Sequence, residues 1–181
     1  MPTPEQVILM DDAGLPIGVA PKAEVHGVDT PLHLAFSCYL IGEDGRILVT
    51  RRALAKKTWP GVWTNSFCGH PAPGEEMTDA VRRRARQELG IAVTDLRLAL
   101  PDYRYRAVDA GGIVENEICP VFIAHLDGEL RPDDAEVAEW AWIEPHQLAR
   151  SAASAPFAFS PWLVEQIPQL AGIGALDGVL A

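Results

Sequence analysis

The sequence lacks an excess of positive charge. Its 181 residues contain 15 Lys and Arg against 25 Asp and Glu, which gives a formal net charge of -10 and a pI near 4.9. Non-specific binding to nucleic acid or to an anionic membrane surface needs a basic footprint. Neither partner is therefore expected, and any anionic ligand has to bind at a local group of cations.

Cysteine pairs and long apolar runs are also missing. Cys38, Cys68 and Cys119 are odd in number and form no Cys-x-x-Cys pair, which fits a reducing cytosol better than a disulfide framework. No run approaches the roughly 20 apolar residues of a membrane-spanning helix. The first residues, MPTPEQVILMDD, have no basic segment and predict neither a signal peptide nor an anchor. We expect a soluble, cytoplasmic protein.

Strands are predicted where short apolar runs are bounded by turn residues. Residues 32–41 and 46–50 flank GEDG and read as a hairpin, and further strands are predicted at 64–69, 103–108, 118–126 and 139–143. The stretch 151–161, rich in Ala, Ser and Pro, is the one candidate linker. Without a repeat or a low-complexity block, the length indicates one domain.

The clearest helix covers residues 78–89, TDAVRRRARQEL. Val81, Ala85 and Leu89 recur at four-residue spacing, Thr78 can cap the N-terminus, and Gly90 is suited to the residue after the helix. A second, short helix is predicted near 161–170. Strands before and after one central helix indicate a mixed α+β architecture rather than alternating βαβ units.

The segment GHPAPGEEMTDAVRRRARQELGI resembles the Nudix signature. The residues on its fixed positions are Gly69, Glu75, Arg83, Ala85, Glu88, Gly90 and Ile91. Two positions depart from it, because Arg84 and Gln87 stand where the family has glutamates that hold divalent ions for attack of water on phosphorus. Arg84 lies one turn before Glu88 on the same helix face, where it can bind phosphate oxygens. The segment therefore favours binding a diphosphate over cutting it.

A second set of chemical groups surrounds the segment IVENEIC. Glu115 and Glu117 point to the same face of a predicted strand, and two such carboxylates need a cation or a shared proton. With three histidines they form a set that suits Zn²⁺ or Mn²⁺ better than Mg²⁺: His26, His33 and His70. The histidine spacing is no standard zinc motif, and the two glutamates equally fit an exposed edge strand. His125 and His146 are expected at the surface.

Five segments, LHLAFSCYL, LVTRRALAKKTWPGVWTNSFCGHP, YRYRA, GIVENEICPVF and FSPW, together give the chain a strong family resemblance. In order and spacing they are similar to type I isopentenyl-diphosphate isomerases, Nudix-fold enzymes of isoprenoid biosynthesis, over residues 7–162. The resemblance implies one domain spanning 1–181, with a core at about 30–165. Its fold would be a Nudix-type α/β/α sandwich with a mixed sheet and a central Nudix helix.

The resemblance also implies the ligands of two metal ions and of the substrate. A Mn²⁺ or Zn²⁺ ion, or Mg²⁺, would be held by His26, His33, His70, Glu115 and Glu117. A Mg²⁺ ion that arrives with the substrate diphosphate would be held by Glu88 and the carbonyl of Cys68. The diphosphate itself would contact Lys22, Arg52, Lys56 and Arg84. The expected partner is a small prenyl diphosphate, with the protein a monomer or a weak homodimer.

The implied reaction is isomerisation of isopentenyl diphosphate to dimethylallyl diphosphate. A proton is added at C4 and another is removed at C2, so an acid and a base are needed on opposite sides of the carbon chain. Glu117, paired with Tyr105, would deliver the proton, and Cys68 as a thiolate would accept one; the opposite assignment stays open. Trp162 would support the carbocation with its ring face, although a tryptophan of the core is the simpler interpretation.

Two rival functions remain. The first is a Nudix hydrolase acting on a nucleoside or other diphosphate, against which Arg84 and Gln87 argue. The second is a non-catalytic diphosphate-binding module. The presence of every proposed catalytic residue argues against that second function.

Overall fold

A computed structural model describes residues 5–176 of the protein. Residues 1–4 and 177–181 of the expected domain lie outside the described residues. The strands are β1 Gln6–Met10, β2 Pro16–Pro21, β3 His33–Leu34, β4 Phe36–Ile41, β5 Ile47–Arg52, β6 Trp63–Thr64, β7 Phe67–Gly69, β8 Ala92–Leu100, β9 Arg104–Val108, β10 Val114–Ile118, β11 Val121–Asp127 and β12 Val137–Ile143. The helices are α1 Lys22–Val25, α2 Met77–Leu89, α3 Pro145–Ser154 and α4 Pro161–Gly172, with a 3-10 turn at Pro156–Ala158.

The strands form two sheets. The larger sheet has the order β12-β5-β4-β11-β8, with β6 added beside β5 and β7 beside β4. It is mixed, because β11 runs parallel to β4 while the other pairs are antiparallel. The smaller sheet has the order β2-β1-β3-β10-β9.

Helices cover both faces of the larger sheet. Side chains alternate along a strand, so successive residues of β4 point to opposite faces. Phe36 and Leu40 pack with Val81 and its neighbours from α2, whereas Tyr39 packs with Leu163 and its neighbours from α3 and α4. Both faces of β4 are buried, which explains why its sequence is a continuous apolar run. The predicted α/β/α sandwich, mixed sheet and central helix are confirmed.

Two of the predicted strands are each broken between the two sheets. The run 32–41 is divided at Ala35 into β3 and β4, and the run 118–126 is divided at Cys119 and Pro120 into β10 and β11. Pro120 has no N–H donor and therefore interrupts the ladder. Because β3 pairs with β10 and β4 with β11, the chain changes sheet twice at one place.

Other predicted bounds also change. The strand at 64–69 is two short strands separated by Asn65 and Ser66. The predicted linker at 151–161 is wrong, since these residues end α3, form the 3-10 turn and begin α4. Helix α2 starts at Met77 with Glu76 before it and no side-chain cap, so the cap assigned to Thr78 is wrong. The sequence patterns predict none of β1, β2, α1, β8 and α3.

Gly90 ends α2 as predicted. Its φ of 68° lies in the left-handed region that glycine adopts without steric cost. The Gly90 N–H donates to the carbonyl of Arg86 at 3.1 Å, and the Ile91 N–H donates to the carbonyl of Ala85 at 3.5 Å. Across residues 5–176, no helix combines the length and the apolar character that crossing a membrane requires.

Candidate active site

A cavity of about 490 Å³ opens where the two sheets, α2 and α4 meet. Every predicted site residue except His33 lines it. These residues come from segments as distant in sequence as Lys22 and Trp162. The site is therefore assembled by the fold and is not contained in a single motif. Such a concave pocket with convergent polar groups is the usual form of a small-molecule site.

Three histidines and one carboxylate meet at the end of this cavity. One ligand atom from each of His26, His33, His70 and Glu117 lies within 4.8 Å of the others. Glu117 Oε1 is 3.3 Å from His33 Nε2 and 3.2 Å from His70 Nε2. The residues come from the segment after α1, from β3, from the end of β7 and from β10.

The hydrogen bonding of these rings fits a divalent metal ion. His33 Nδ1 lies 2.9 Å from the carbonyl oxygen of Pro31, so Nδ1–H donates to it and the lone pair of Nε2 faces the cluster. Within residues 5–176, the buried His26 Nε2, His33 Nε2 and His70 Nδ1 find no hydrogen-bond partner. Buried polar atoms without a partner are rare, and imidazole nitrogens with a carboxylate are common zinc and manganese ligands.

Burial decides the charge state of two of the rings. It lowers the pKa of His26 to about 3, helped by the neighbouring rings, and it also lowers the pKa of His70. Burial acts in the same direction on His33, but the contact with Glu117 outweighs it and raises the pKa of His33. For Glu117, burial opposes the charge, yet the contacts with His33 and His70 hold its pKa well below the usual value. The neutral rings and the ionised carboxylate are the forms that bind metal.

Glu115 is held apart from this cluster. Its Oε1 accepts a hydrogen bond of 2.5 Å from the Thr58 hydroxyl, and its Oε2 accepts one from the Tyr105 hydroxyl. The same Tyr105 hydroxyl lies 3.0 Å from Glu117 Oε2, so the two glutamates share a face as predicted. Burial, followed by the charge of Glu117, raises the pKa of Glu115. The structure thus places Glu115 with Tyr105 and Thr58, and not among the four grouped ligand atoms.

The surroundings of Cys68 favour the neutral thiol over the thiolate. Its Sγ donates to Asn65 Oδ1 at 3.2 Å and lies 3.6 Å from the Ser37 hydroxyl oxygen. Burial raises the pKa of Cys68 to about 12, outweighing these contacts and the charge of Arg52. Burial therefore acts against the thiolate form that the resemblance implies for a base at Cys68, and the thiol lies on the cavity wall.

The predicted diphosphate-binding cations are held by carboxylates. Arg84 is buried, and its Nε donates to Glu88 at 2.9 Å while its Nη2 lies 3.2 Å from Glu136 Oε1. Lys56 also pairs with Glu136. Lys22 Nζ lies 2.6 Å from Glu5 Oε2. The cations thus form a network that carries its own counter-charges.

Arg52 differs from the other cations because its contacts are with Thr58 and with the ring of Trp162. Its guanidinium donates to the Thr58 carbonyl at 3.0 and 2.9 Å and to the Thr58 hydroxyl at 3.0 Å. It also lies 5.5 Å from the ring centroid of Trp162, in a cation–π arrangement. Arg52 therefore fixes the position of Thr58, which in turn fixes Glu115.

Trp162 belongs both to the core and to the cavity wall. Its exposed fraction is 1%, and it packs against Trp59 and Tyr105 with ring centroids 5.4 and 5.6 Å away. Its Nε1 donates to Asn65 Oδ1 at 2.9 Å. The two interpretations from sequence are thus compatible.

Three residues of the site are not predicted from the sequence: Thr58, Asn65 and Glu136. Thr58 and Asn65 lie in the segment that carries the family resemblance, and as buried polar residues next to apolar ones they gave a weak signal. Lys57 lines the cavity beside Lys56. Glu136 belongs to no motif, and the pairing of β12 with β5 brings it to Lys56. His125 and His146 are exposed, as predicted.

Known proteins resemble the chain in sequence and in fold. The family model for the NUDIX domain matches residues 31–163. The isopentenyl-diphosphate Delta-isomerase of Paenarthrobacter aurescens (strain TC1) is 62% identical over 172 residues, which cover 95% of this chain and 94% of that protein. The one of Leifsonia xyli subsp. xyli (strain CTCB07) is 61% identical over 171 residues, covering 93% and 92%. The crystal structure of DR0079 from Deinococcus radiodurans superposes with a TM-score of 0.71 at 18% identity, covering 91% and 98%, a likeness of fold alone.

Proposed function

The chain belongs to the isopentenyl-diphosphate Delta-isomerase family and carries a NUDIX domain, and from this premise we propose that it converts isopentenyl diphosphate to dimethylallyl diphosphate in isoprenoid biosynthesis. One observation carries the proposal beyond the likeness. The thiol of Cys68, the hydroxyl of Tyr105 and the carboxylate of Glu117 line one cavity with the cations of a diphosphate site. A hydrolase needs no thiol and no phenol to activate water.

The polar end of the cavity suits the diphosphate. Lys22, Lys56, Lys57 and Arg84 line it within a chain whose net charge is -10. An incoming diphosphate can replace the carboxylates that now contact these cations, since charge-assisted bonds to phosphate oxygens are of the same kind. Glu88 and the carbonyl of Cys68 would hold a Mg²⁺ ion brought by the diphosphate. That ion would neutralise phosphate charge.

The other end suits the five-carbon chain. Ala35 and Trp162 supply apolar surface there, and the indole face supports positive charge on carbon. Excluding water protects a carbocation from capture, and the burial of Trp162 against Tyr105 contributes to that exclusion. The double bond moves from C3–C4 to C2–C3 when C4 gains a proton and C2 loses one. We assign these two transfers to Cys68 and to Glu117, which acts with Tyr105.

The histidine cluster would hold a Mn²⁺ or Zn²⁺ ion, or Mg²⁺, through His26, His33, His70 and Glu117. When bound, such an ion fixes and polarises the carboxylate of Glu117 as a Lewis acid. Glu115 lies next to this carboxylate through the shared hydroxyl of Tyr105 and would become a fifth ligand only by leaving Thr58. We further propose that the chain works in the cytoplasm as a single domain, as a monomer or a weak homodimer, on a small prenyl diphosphate alone.

One assay separates the isomerase from the rival functions. The purified protein is incubated with isopentenyl diphosphate, Mg²⁺ and either Mn²⁺ or Zn²⁺, and both dimethylallyl diphosphate and free phosphate are measured. We expect the allylic product without phosphate release. Phosphate without the allylic product would favour a hydrolase, and binding without either product would favour the diphosphate-binding module. The Cys68→Ala protein, purified in the same way, reports any contaminating isomerase.

A further inference from the structure

Asn65 lies in the bend between β6 and β7 and has no exposed surface. The backbone of this bend is held by the Thr50 hydroxyl, which contacts the carbonyl oxygens of Asn65 at 3.0 Å and Ser66 at 3.2 Å. A buried carboxamide is costly unless its polar atoms find partners. The partners of Asn65 therefore show what its burial achieves.

The amide nitrogen of Asn65 is bonded to the backbone. Nδ2 donates to the carbonyl oxygens of Cys38 at 3.0 Å and Phe67 at 2.7 Å. Both NH₂ hydrogens are thus used, and both acceptors are atoms that cannot donate. Turning the amide over would set its oxygen against these two carbonyls. The side chain has one satisfactory orientation.

The amide oxygen of Asn65 accepts from groups that line the cavity. Oδ1 lies 3.2 Å from Cys68 Sγ and 2.9 Å from Trp162 Nε1, with the Thr64 hydroxyl donating at 2.8 Å. A single atom therefore binds the thiol of β7 and the indole of α4, which lie far apart in the chain. Cys68 and Trp162 are the groups assigned to proton transfer and to cation support.

The start of α4 is tied to the same bend. Ser160 caps this helix, and its hydroxyl lies 2.8 Å from the hydroxyl of Thr64. The Ser160 N–H also donates to the carbonyl of Trp63 at 2.8 Å. The indole of Trp162 is thus fixed at its nitrogen by Asn65, and the helix start that carries it is held through Ser160.

We propose that Asn65 is a positioning residue that sets the thiol of Cys68 and the indole of Trp162 in one fixed relation across the bound carbon chain. It touches neither the substrate nor a metal ion, because all its polar atoms are used by protein groups. The proposal rests on the proposed function for the roles of these two side chains. Their fixed geometry matters because a misplacement of about 1 Å can cost about a hundredfold in rate.

Two substitutions distinguish the contribution of the Asn65 side-chain oxygen from that of its nitrogen. Asn65→Leu removes every hydrogen bond at similar volume, whereas Asn65→Asp keeps an acceptor for the thiol and the indole. With isopentenyl diphosphate we expect kcat to fall by about a hundredfold in Asn65→Leu with KM within about threefold. In Asn65→Asp we expect a smaller fall of about tenfold, because a carboxyl kept protonated by burial retains the acceptor oxygen and donates its one O–H to one of the two backbone carbonyls.

Ser66→Ala is the matched control. The neighbouring Ser66 is equally buried and makes two hydrogen bonds of 2.7 Å, from the Leu40 N–H and to the Leu48 carbonyl, but none to Cys68 or Trp162. We expect it to lower the melting temperature while keeping kcat near that of the parent. An equal loss of kcat in Ser66→Ala would overturn the proposal, since the effect of Asn65 would then be general destabilisation.

A spectroscopic readout makes the proposal independent of the reaction. The chain has five tryptophans, and each can give an indole N–H resonance in the proton NMR spectrum. The resonance that disappears in Trp162→Phe is that of Trp162. We expect this signal to lose its protection from exchange with water in Asn65→Leu and to keep it in Asn65→Asp and Ser66→Ala. An unchanged signal in Asn65→Leu would overturn the positioning role. Absence of isomerase activity in the parent protein would instead contradict the proposed function and leave this readout valid.

Discussion

The guanidinium of Arg84 is hydrogen-bonded to the carboxylate of Glu88, one turn later on the same helix. The two side chains stand where a hydrolase of this fold would gather carboxylates around metal ions. Burial raises the pKa of Glu88 although Arg84 acts against it. A cation from the protein thus contacts the carboxylate that α2 contributes to the cavity, and a metal ion would compete with Arg84 for Glu88 or bind beside it.

Glu88→Gln tests the importance of that carboxylate. We expect the Mg²⁺ concentration that gives half-maximal isomerisation to rise about tenfold or more, because an amide offers the ion no charge. The measurement is the initial rate against Mg²⁺ at fixed substrate. Glu129→Gln is the control, since Glu129 is exposed and pairs with Arg131. An unchanged Mg²⁺ requirement in Glu88→Gln would remove Glu88 from the metal site.

Helix α2 shows what local sequence can predict. Val81, Ala85 and Leu89 are all fully buried, as their four-residue spacing predicts. Helical periodicity can be recognised from the order of residues alone. The sheet change at Ala35 is different. An apolar run buried on both faces looks the same whether it belongs to one strand or to two, so only the tertiary structure divides it.

The site residues also fall into two groups: those that local sequence predicts, and those that only the tertiary structure brings to the site. Cys68, His70 and Glu88 lie in segments dense enough in chemical residues to be recognised. Glu136 lies in a polar stretch before β12 and reaches Lys56 only because β12 pairs with β5. The pKa of Cys68 could not be predicted from local sequence either, since the burial that raises this pKa comes from the packed cavity wall.

Cys68→Ala should abolish isomerisation while the fold is kept. We expect a loss of about a thousandfold or more in kcat, typical of removing a proton-transfer group, with little change in melting temperature. Product formation and thermal unfolding are measured on the same sample. Cys38→Ala is the matched control, because this fully buried thiol lies away from the cavity and should affect stability more than turnover. Near-normal turnover in Cys68→Ala would exclude Cys68 from the mechanism.

Metal analysis of the purified protein should find an ion at the histidine cluster. His33→Gln should lower the affinity for Mn²⁺ or Zn²⁺ by about tenfold or more, because it replaces a ring nitrogen aimed at the cluster. Equilibrium dialysis followed by elemental analysis measures this affinity. His146→Gln, at an exposed position, should leave it unchanged. Equal affinities in the parent and in His33→Gln would contradict the assigned ligand set.

Glu75 should make stability depend on pH. Its carboxylate accepts bonds of 2.7 and 2.8 Å from Arg83, which lower its pKa from the usual 4.5. A carboxyl whose pKa is lowered on folding stabilises the protein above its unfolded pKa, and this stabilisation is lost as the pH falls through the folded value. Glu75→Gln should therefore cost about 1–3 kcal/mol at pH 7, and the cost should shrink below pH 4.5.

Urea unfolding of the parent and of Glu75→Gln at pH 7 and at successively lower pH gives this difference directly. Arg83 also donates to the carbonyl of His70 at 3.0 Å, so the same ion pair supports the chain at a proposed metal ligand. Glu129→Gln again serves as the exposed control. A difference between Glu75→Gln and the parent that stays constant over the pH range would show that the charge of Glu75 is not the cause.

Gly69 lies between α2 and the larger sheet, where a side chain has no room. A Cβ there would come within 2.7 Å of Arg84 Cγ and 2.9 Å of Phe36 Cζ. Gly69→Ala should therefore destabilise the protein by about 1–3 kcal/mol, since a well-packed core resists an added methyl group. It should also weaken substrate binding, because the displaced Arg84 belongs to the diphosphate end of the cavity.

Gly172→Ala is the matched control for Gly69→Ala. Gly172 lies in α4, and a Cβ there meets no atom of the described part of the chain within 4 Å. Alanine favours a helix over glycine by up to about 1 kcal/mol, so this change should leave stability unchanged or raise it. Thermal unfolding and the KM for isopentenyl diphosphate are measured for both proteins. A Gly69→Ala protein as stable as the parent, with unchanged KM, would show that Arg84 can shift without cost and that the close packing of α2 on β7 does not position it.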